Sequence, residues 1–115
     1  MNAAEHADLG ATSWVEAVRA QLDAAPDHAD FYALAGEMAA TLSALQDGVN
    51  VLRRQVAHYG EGRDVYDDTR TVDPHTRLAE AAELLALLRD DLTPALRRTH
   101  AFWASISHIG VEVPS

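Results

Sequence analysis

Two groups of side chains in the sequence are of the types that carry metal-dependent chemistry. Glu80 and Glu83 are one turn apart on a predicted helix, so their carboxylates share one face. Carboxylate oxygens are the ligands that Mg²⁺ uses in phosphate-processing sites. His58 and His75 flank an acidic segment, and imidazole combined with carboxylate suits zinc or iron. The carboxylates that an antiparallel hairpin would bring near these histidines are Asp64, Asp67, Asp68 and Asp73.

The spacing of Glu80 and Glu83 resembles one half of the site in small all-helical nucleotide pyrophosphohydrolases, where carboxylate pairs from two helices hold magnesium. The resemblance implies a second acidic pair on the neighbouring helix. Glu37 and Asp47, the acids in that region, are ten residues apart, which is too far to form such a pair. A small metal-dependent all-α enzyme or a metal-binding helical bundle therefore stays as the alternative function. The preferred interpretation has no catalytic residue, no metal ligand and no cofactor.

The composition limits the classes of partner. Eighteen acidic residues stand against nine basic ones, all of them arginine, so the formal net charge is −9. That charge opposes nucleic acid or an anionic membrane as the main partner, and the sequence has no run of about 20 apolar residues to span a bilayer. The absence of cysteine excludes disulfides and thiolate chemistry. Because the first residues lack the features of a secretory signal, we predict a cytoplasmic protein.

Two long heptad patterns dominate the rest of the sequence. In both, apolar residues recur every three or four positions, which is typical of one helix packing along another. The first pattern comprises Phe31, Ala35, Met38, Leu42, Leu45, Val49, Leu52, Val56 and Tyr59. The second comprises Leu78, Ala81, Leu85, Leu88, Leu92, Ala95, Thr99, Phe102, Ile106 and Ile109. We therefore predict an all-α protein built as a long antiparallel helical hairpin, similar to a coiled coil.

The segment boundaries follow from capping residues. Ser13 and Glu16 have the spacing of a capping box. Asp27 is placed to cap the second helix, and Asp73 to cap a third helix that begins at Pro74. These signals predict a disordered N-terminus over 1–12, a single helical domain over 13–110 and an extended tail over 111–115. Within the domain, the predicted helices cover 13–25, 28–59 and 74–108, the loop covers 60–73, and the short first helix folds back on the hairpin.

Two positions inside the long helices leave alternatives open. Pro94 removes one backbone hydrogen bond, so the third helix either bends there or divides into two, with Thr93 capping the second piece. The uninterrupted heptad pattern favours the bend. Gly48 lies beside the first heptad pattern, where it either lets a neighbouring backbone approach closely or is a weak point of the helix.

The long helices carry more apolar residues than one helix pair can bury. The surplus residues are Tyr32, Leu34, Leu84, Leu87, Leu96 and Trp103. We expect them to promote a two-fold dimer in which two hairpins form a bundle. Trp103 either packs in the core, where it would meet Trp14, or anchors a partner together with Leu96.

The loop over 60–73 is longer than an antiparallel hairpin requires, and loops of this length are often functional. It combines apolar and charged side chains, and its predicted partner-binding residues are Val65, Tyr66, Asp67, Asp68 and Arg70. The sequence therefore favours a non-enzymatic protein–protein interaction or assembly module that forms a homodimer and binds an unidentified protein partner.

The size, hairpin pattern and acidity are similar to those of the helical-hairpin proteins exported by type VII secretion systems. Those proteins carry Trp-x-Gly in the turn, where this chain has Gly60, Glu61 and Gly62. No family is therefore assigned.

Overall fold

The computed structural model describes residues 1–114, and the regular structure in them is entirely helical. The three helices are α1 (Ala3–Asp23), α2 (His28–His58) and α3 (Pro74–Ile106). Near the start of α2, Gly36 lies against Trp103, and just beyond its end Gly60 lies against His75. The two helices therefore run antiparallel and pack along their length, which confirms the predicted long helical hairpin.

The two long helices begin at the capping residues predicted for them. The backbone N–H of Asp30 donates to Asp27 Oδ1 at 3.1 Å, and the N–H of Asp27 donates to Asp30 Oδ2 at 3.0 Å. At α3, Asp73 accepts from the backbone N–H of His75 at 3.3 Å, and Pro74 occupies the first turn. Each cap satisfies an N–H that has no partner inside its helix. The helices end at His58 and Ile106, one and two residues before the predicted ends.

The third helix continues through Pro94 as a single element. Proline has no N–H to donate to the carbonyl four residues earlier, so the helix lacks one backbone hydrogen bond here. A side chain of α2 bonds to α3 at the same level. Gln46 Nε2 donates to Thr93 Oγ1 at 2.9 Å and lies 3.5 Å from the carbonyl oxygen of Arg89. This polar contact joins the two helices close to the proline.

The first helix starts ten residues before the predicted start at Ser13. Asn2 caps it, because its side-chain oxygen accepts from the backbone N–H of Glu5 at 2.9 Å. Alanine is the strongest helix former, and the helical stretch before Ser13 contains Ala3, Ala4, Ala7 and Ala11. The segment 1–12, predicted to be disordered, is therefore helical from Ala3 onward, and Ser13 lies inside the helix.

The first helix folds back along α2 through side chains alone. Trp14 Nε1 donates to Thr41 Oγ1 at 3.0 Å. Val18 and Leu22 lie with Leu34 around a shallow apolar cleft. Within the three helices, no Cα atom of α1 comes within 8 Å of a Cα atom of α2 or α3. The backbones are therefore too far apart for the close packing that joins α2 to α3.

The hairpin encloses very little core. Among residues 1–114, the buried apolar side chains are Ala35, Ala39 and Val49, and no large side chain is fully buried. The molecule extends over 75 × 27 × 23 Å with a radius of gyration of 20.2 Å, against about 13 Å for a compact chain of this length. Its accessible surface is 8777 Å², against about 6200 Å² for a compact protein of the same mass.

No helix among residues 1–114 has both the length and the apolar character needed to cross a membrane.

Candidate functional site

The loop that joins α2 to α3 is folded around the carboxylate of Asp67, a residue that is buried. Its Oδ1 accepts from Arg77 Nε at 2.6 Å. Its Oδ2 accepts from the backbone N–H of Thr69 at 3.1 Å and also from the Thr69 hydroxyl. Asp67, predicted to bind a partner, therefore holds the loop against α3.

This hydrogen bonding stabilises the charged form of Asp67. The bond from the Arg77 guanidinium, followed by the bond from the Thr69 side chain, lowers the pKa of Asp67 from 3.8 to about 2. The same hydrogen bond from Arg77, together with the charge of Asp67, raises the pKa of Arg77. The pair stays ionised over the physiological pH range and acts as a fixed link between the loop and α3.

The other loop residues predicted to bind a partner remain on the surface. Tyr66 is exposed, and the Arg70 guanidinium carbon lies 4.4 Å from the centre of its ring. Arg70 has a φ of 59°, and its N–H donates to the carbonyl oxygen of Asp67 at 3.0 Å. Asp68 is exposed and Val65 is half-buried. The cation–π contact covers one face of Tyr66, so the loop presents mainly charge.

The structure places Trp103 within the hairpin contact. Trp103 packs on Gly36, where a Cβ atom would lie 3.1 Å from the indole. The ring centre of Trp103 lies 5.5 Å from that of Tyr32. His100 stacks on the indole with a centre-to-centre distance of 6.0 Å. Trp103 and Leu96 are both half-buried. Trp14, which Trp103 would meet in one of the two alternatives, donates from Nε1 to Thr41 Oγ1.

The histidines and glutamates that could carry metal chemistry are dispersed. His58 Nδ1 lies 2.8 Å from Glu61 Oε1, and His75 packs against Gly60. Glu80 is exposed, while Glu83 lies at the edge of a groove between the helices. Among residues 1–114, no three His, Asp or Glu side chains converge to hold a metal ion.

A shallow groove of about 470 Å³ runs along one side of the α2–α3 contact near the loop. Alanines from both helices form its floor, among them Ala57 on α2 and Ala86 on α3. Arg53 and Glu83 line it, and the Nε of Arg53 is buried without a hydrogen-bond partner among the described residues. The groove is open to solvent over most of its length, so it encloses no small-molecule cavity.

A set of exposed apolar side chains lies on the other side of the α2–α3 contact. At about 100° per residue, a stripe of α2 and a stripe of α3 both point away from the alanines of the groove. We call these stripes together the apolar face; its residues are Phe31, Met38, Leu45, Leu52 and Tyr59 on α2, and Leu84, Leu88 and Phe102 on α3. On α2 each is exposed by 37 to 52 %, and on α3 by 44 to 66 %.

Apart from Leu84, which was among the surplus apolar residues, the apolar face comes from residues that the heptad patterns had assigned to the contact between α2 and α3. In α2, the alternate positions of the pattern are buried or half-buried, namely Ala35, Leu42, Val49 and Val56. The positions seven residues apart from Phe31 to Tyr59 remain exposed. The heptad positions of α2 thus fall on two sides of the helix, and α3 covers only one of these sides. Sequence reasoning missed this face, although the strict seven-residue spacing of its large side chains was visible.

The chain matches no protein-family model, and no curated protein or solved structure is significantly similar to it.

Proposed function

We propose that the protein is a non-enzymatic helical interaction module that binds another protein surface through the apolar face. The observation that carries this proposal is the row of exposed large side chains along α2, one in every seven residues from Phe31 to Tyr59, which Leu84, Leu88 and Phe102 of α3 extend at two levels. Contiguous exposed apolar surface of this extent is a mark of protein interaction sites on water-exposed proteins. The partner covers the face, in the simplest case as a second copy of the chain.

The shape of the face favours a helical partner. It is as long as α2, whose 31 residues span about 46 Å, and it is narrow. Large side chains repeated every seven residues suit a helix that packs lengthwise and winds around α2. The loop is a weaker candidate, because Asp67 is occupied by Arg77 and one face of Tyr66 is covered by Arg70.

The experiment that tests this proposal places a photoreactive amino acid on the face in the cells that produce the protein. One variant carries it at Leu45, which is 52 % exposed in the middle of the face. The matched control carries it at Val51, which is 45 % exposed on the same helix but points away from the face. We expect a discrete cross-linked product from position 45 and none from position 51.

The mass of the product identifies what covers the face. A product of twice the 12.5 kDa chain is a homodimer, and any other discrete mass is a complex with a different protein; both support an interaction module. Equal smears from both positions, or no product from either, would sink the proposal.

A further inference from the structure

Building on the proposed function, we infer that the occupant of the apolar face is a second copy of this chain. The two copies pair with their α2 helices antiparallel, about a two-fold axis that passes beside Leu45. Three features of the molecule point to this arrangement: the order of side-chain sizes along α2, the distribution of charge along α2, and the surface left uncovered by one chain.

The side chains of the α2 stripe are arranged symmetrically about Leu45. Phe31 and Tyr59 lie fourteen residues on either side of Leu45, and Met38 and Leu52 lie seven residues on either side. The outer pair are aromatic, and Met and Leu have similar volumes. Antiparallel pairing about Leu45 therefore places Phe31 at the level of the partner's Tyr59 and Met38 at the level of the partner's Leu52. An interface about a two-fold axis requires this self-complementarity.

Charge along α2 selects the antiparallel direction. From residue 28 to 48 the ionised side chains are Asp30, Glu37 and Asp47, and from 49 to 58 they are Arg53 and Arg54. Arg53 lines the groove and Asp47 lies outside the apolar face, so these charges act at longer range than the contact itself; antiparallel pairing places the acidic part of one α2 at the level of the basic part of the other. A parallel pair would place like charges at the same level, which disfavours association.

The whole molecule, α1 included, exposes more surface than a compact chain, so area is left for a contact between copies. The accessible surface of 8777 Å² exceeds that of a compact chain of equal mass by about 2600 Å². A standard interface takes about 800 Å² from each partner, so a dimer needs roughly a third of this excess. Leu45 and Leu52, at the centre of the face, are half exposed with α1 in place.

The first part of the test measures mass by light scattering over a dilution series. We expect twice the 12.5 kDa chain mass for the unaltered protein. Leu45→Glu places a carboxylate on the axis in both copies, so we expect the dissociation constant of the dimer to rise at least about 100-fold. Val51→Glu should leave the dissociation constant of the dimer unchanged. Circular dichroism of each variant checks that the helices are retained. A mass of one chain at every concentration overturns the inference.

The second part measures direction with nitroxide labels on single introduced cysteines, since the chain has none of its own. Asp47→Cys and His58→Cys carry the label on exposed positions outside the apolar face. In the antiparallel dimer the axial offset between the two copies' labels is about 6 Å for position 47 and about 39 Å for position 58. The distance from position 58 must therefore be much the longer of the two.

The outcomes separate this inference from the proposed function. Equal label distances at 47 and 58 indicate parallel copies and overturn the antiparallel pairing. A monomer in scattering, combined with a cross-link from Leu45 to a different protein, overturns the second copy as occupant and leaves the proposed function standing. A dimer that survives Leu45→Glu shows that the copies meet elsewhere, which also contradicts the inference.

Discussion

Arg77 Nε lies 2.6 Å from Asp67 Oδ1, and this pair links the middle of the 60–73 loop to the first turns of α3. The carboxylate is 4 % exposed at its side chain, whereas Arg77 is half exposed. The two Thr69 donors complete the set of bonds around Asp67. Loss of the negative charge would therefore leave several donors facing a neutral group.

The first prediction concerns the pH dependence of stability. The pKa of Asp67 is about 2 in the folded protein against 3.8 as the ordinary value, so the unfolded chain takes up a proton at higher pH than the folded one. The stabilisation from this pair is complete above about pH 4 and is lost as the pH falls through about 2. We expect the free energy of unfolding, measured in urea, to fall over that interval, and to fall less steeply for Asp67→Asn.

The control for this prediction is the neighbouring Asp68→Asn, because Asp68 is exposed. We expect Asp68→Asn to keep the steep fall below pH 4. Identical pH profiles for Asp67→Asn and the unaltered protein would show that the pair contributes nothing to folding.

The second prediction compares two helix-interior glycines of α2. A Cβ at Gly48 meets nothing within 4 Å, whereas a Cβ at Gly36 would lie 3.1 Å from Trp103 Cζ2. Alanine is favoured over glycine in a helix by about 1 kcal/mol. We expect Gly48→Ala to raise the free energy of unfolding by roughly that amount, and Gly36→Ala to gain less because the indole must move. The measurement is chemical denaturation at one protein concentration, and equal gains would contradict the assignment.

The third prediction concerns how α1 is held. Because no backbone of α1 approaches α2 closely, α1 is attached through side chains, and Trp14 contributes the hydrogen bond to Thr41. We expect Trp14→Ala to speed amide hydrogen exchange across Ala3–Asp23 by about 10-fold or more, with exchange in α2 and α3 unchanged. Val15→Ala, at an exposed neighbour, is the control. Slower or unchanged exchange in α1 would mean that another contact holds it.

The fourth prediction separates packing from partner binding at Trp103. The indole fills the space over Gly36 and Tyr32, so its removal opens a gap in the hairpin. We expect Trp103→Ala to lower the free energy of unfolding by about 2 to 4 kcal/mol. Trp103→Phe should cost less, because a ring still covers Gly36. An unchanged denaturation midpoint with loss of dimer mass would instead identify Trp103 as an interface residue.

Much of the fold could be predicted from local signals. The caps Asp27 and Asp73 and the heptad patterns place α2 and α3 to within two residues, because capping and periodicity are local properties of the chain. The start of α1 could not be placed in the same way. Ser13 and Glu16 match a capping box, but Asn2 satisfies the same need earlier, and a pattern does not rank two competing caps.

The candidate site was harder to predict, because it depends on which side of α2 meets α3. The heptad pattern counts apolar positions equally, yet Ala35 and Ala39 are the most buried residues of the hairpin. Small side chains let α3 approach the side of α2 that carries them, so larger residues of α2 such as Met38 and Leu45 point outward. The rotation of α2 about its own axis is set by packing between the two helices, so it cannot be read from the periodicity of one helix.

The elongated shape described above also governs how the molecule moves through solution. Its radius of gyration of 20.2 Å equals that expected of a compact globule of about 340 residues, three times the length of this chain. A single copy will therefore diffuse slowly and elute from a sieving column at the position of a much heavier sphere. The elution volume will depend on the length of the hairpin as well as on the number of chains. The number of chains must therefore be determined by a method that measures molar mass directly.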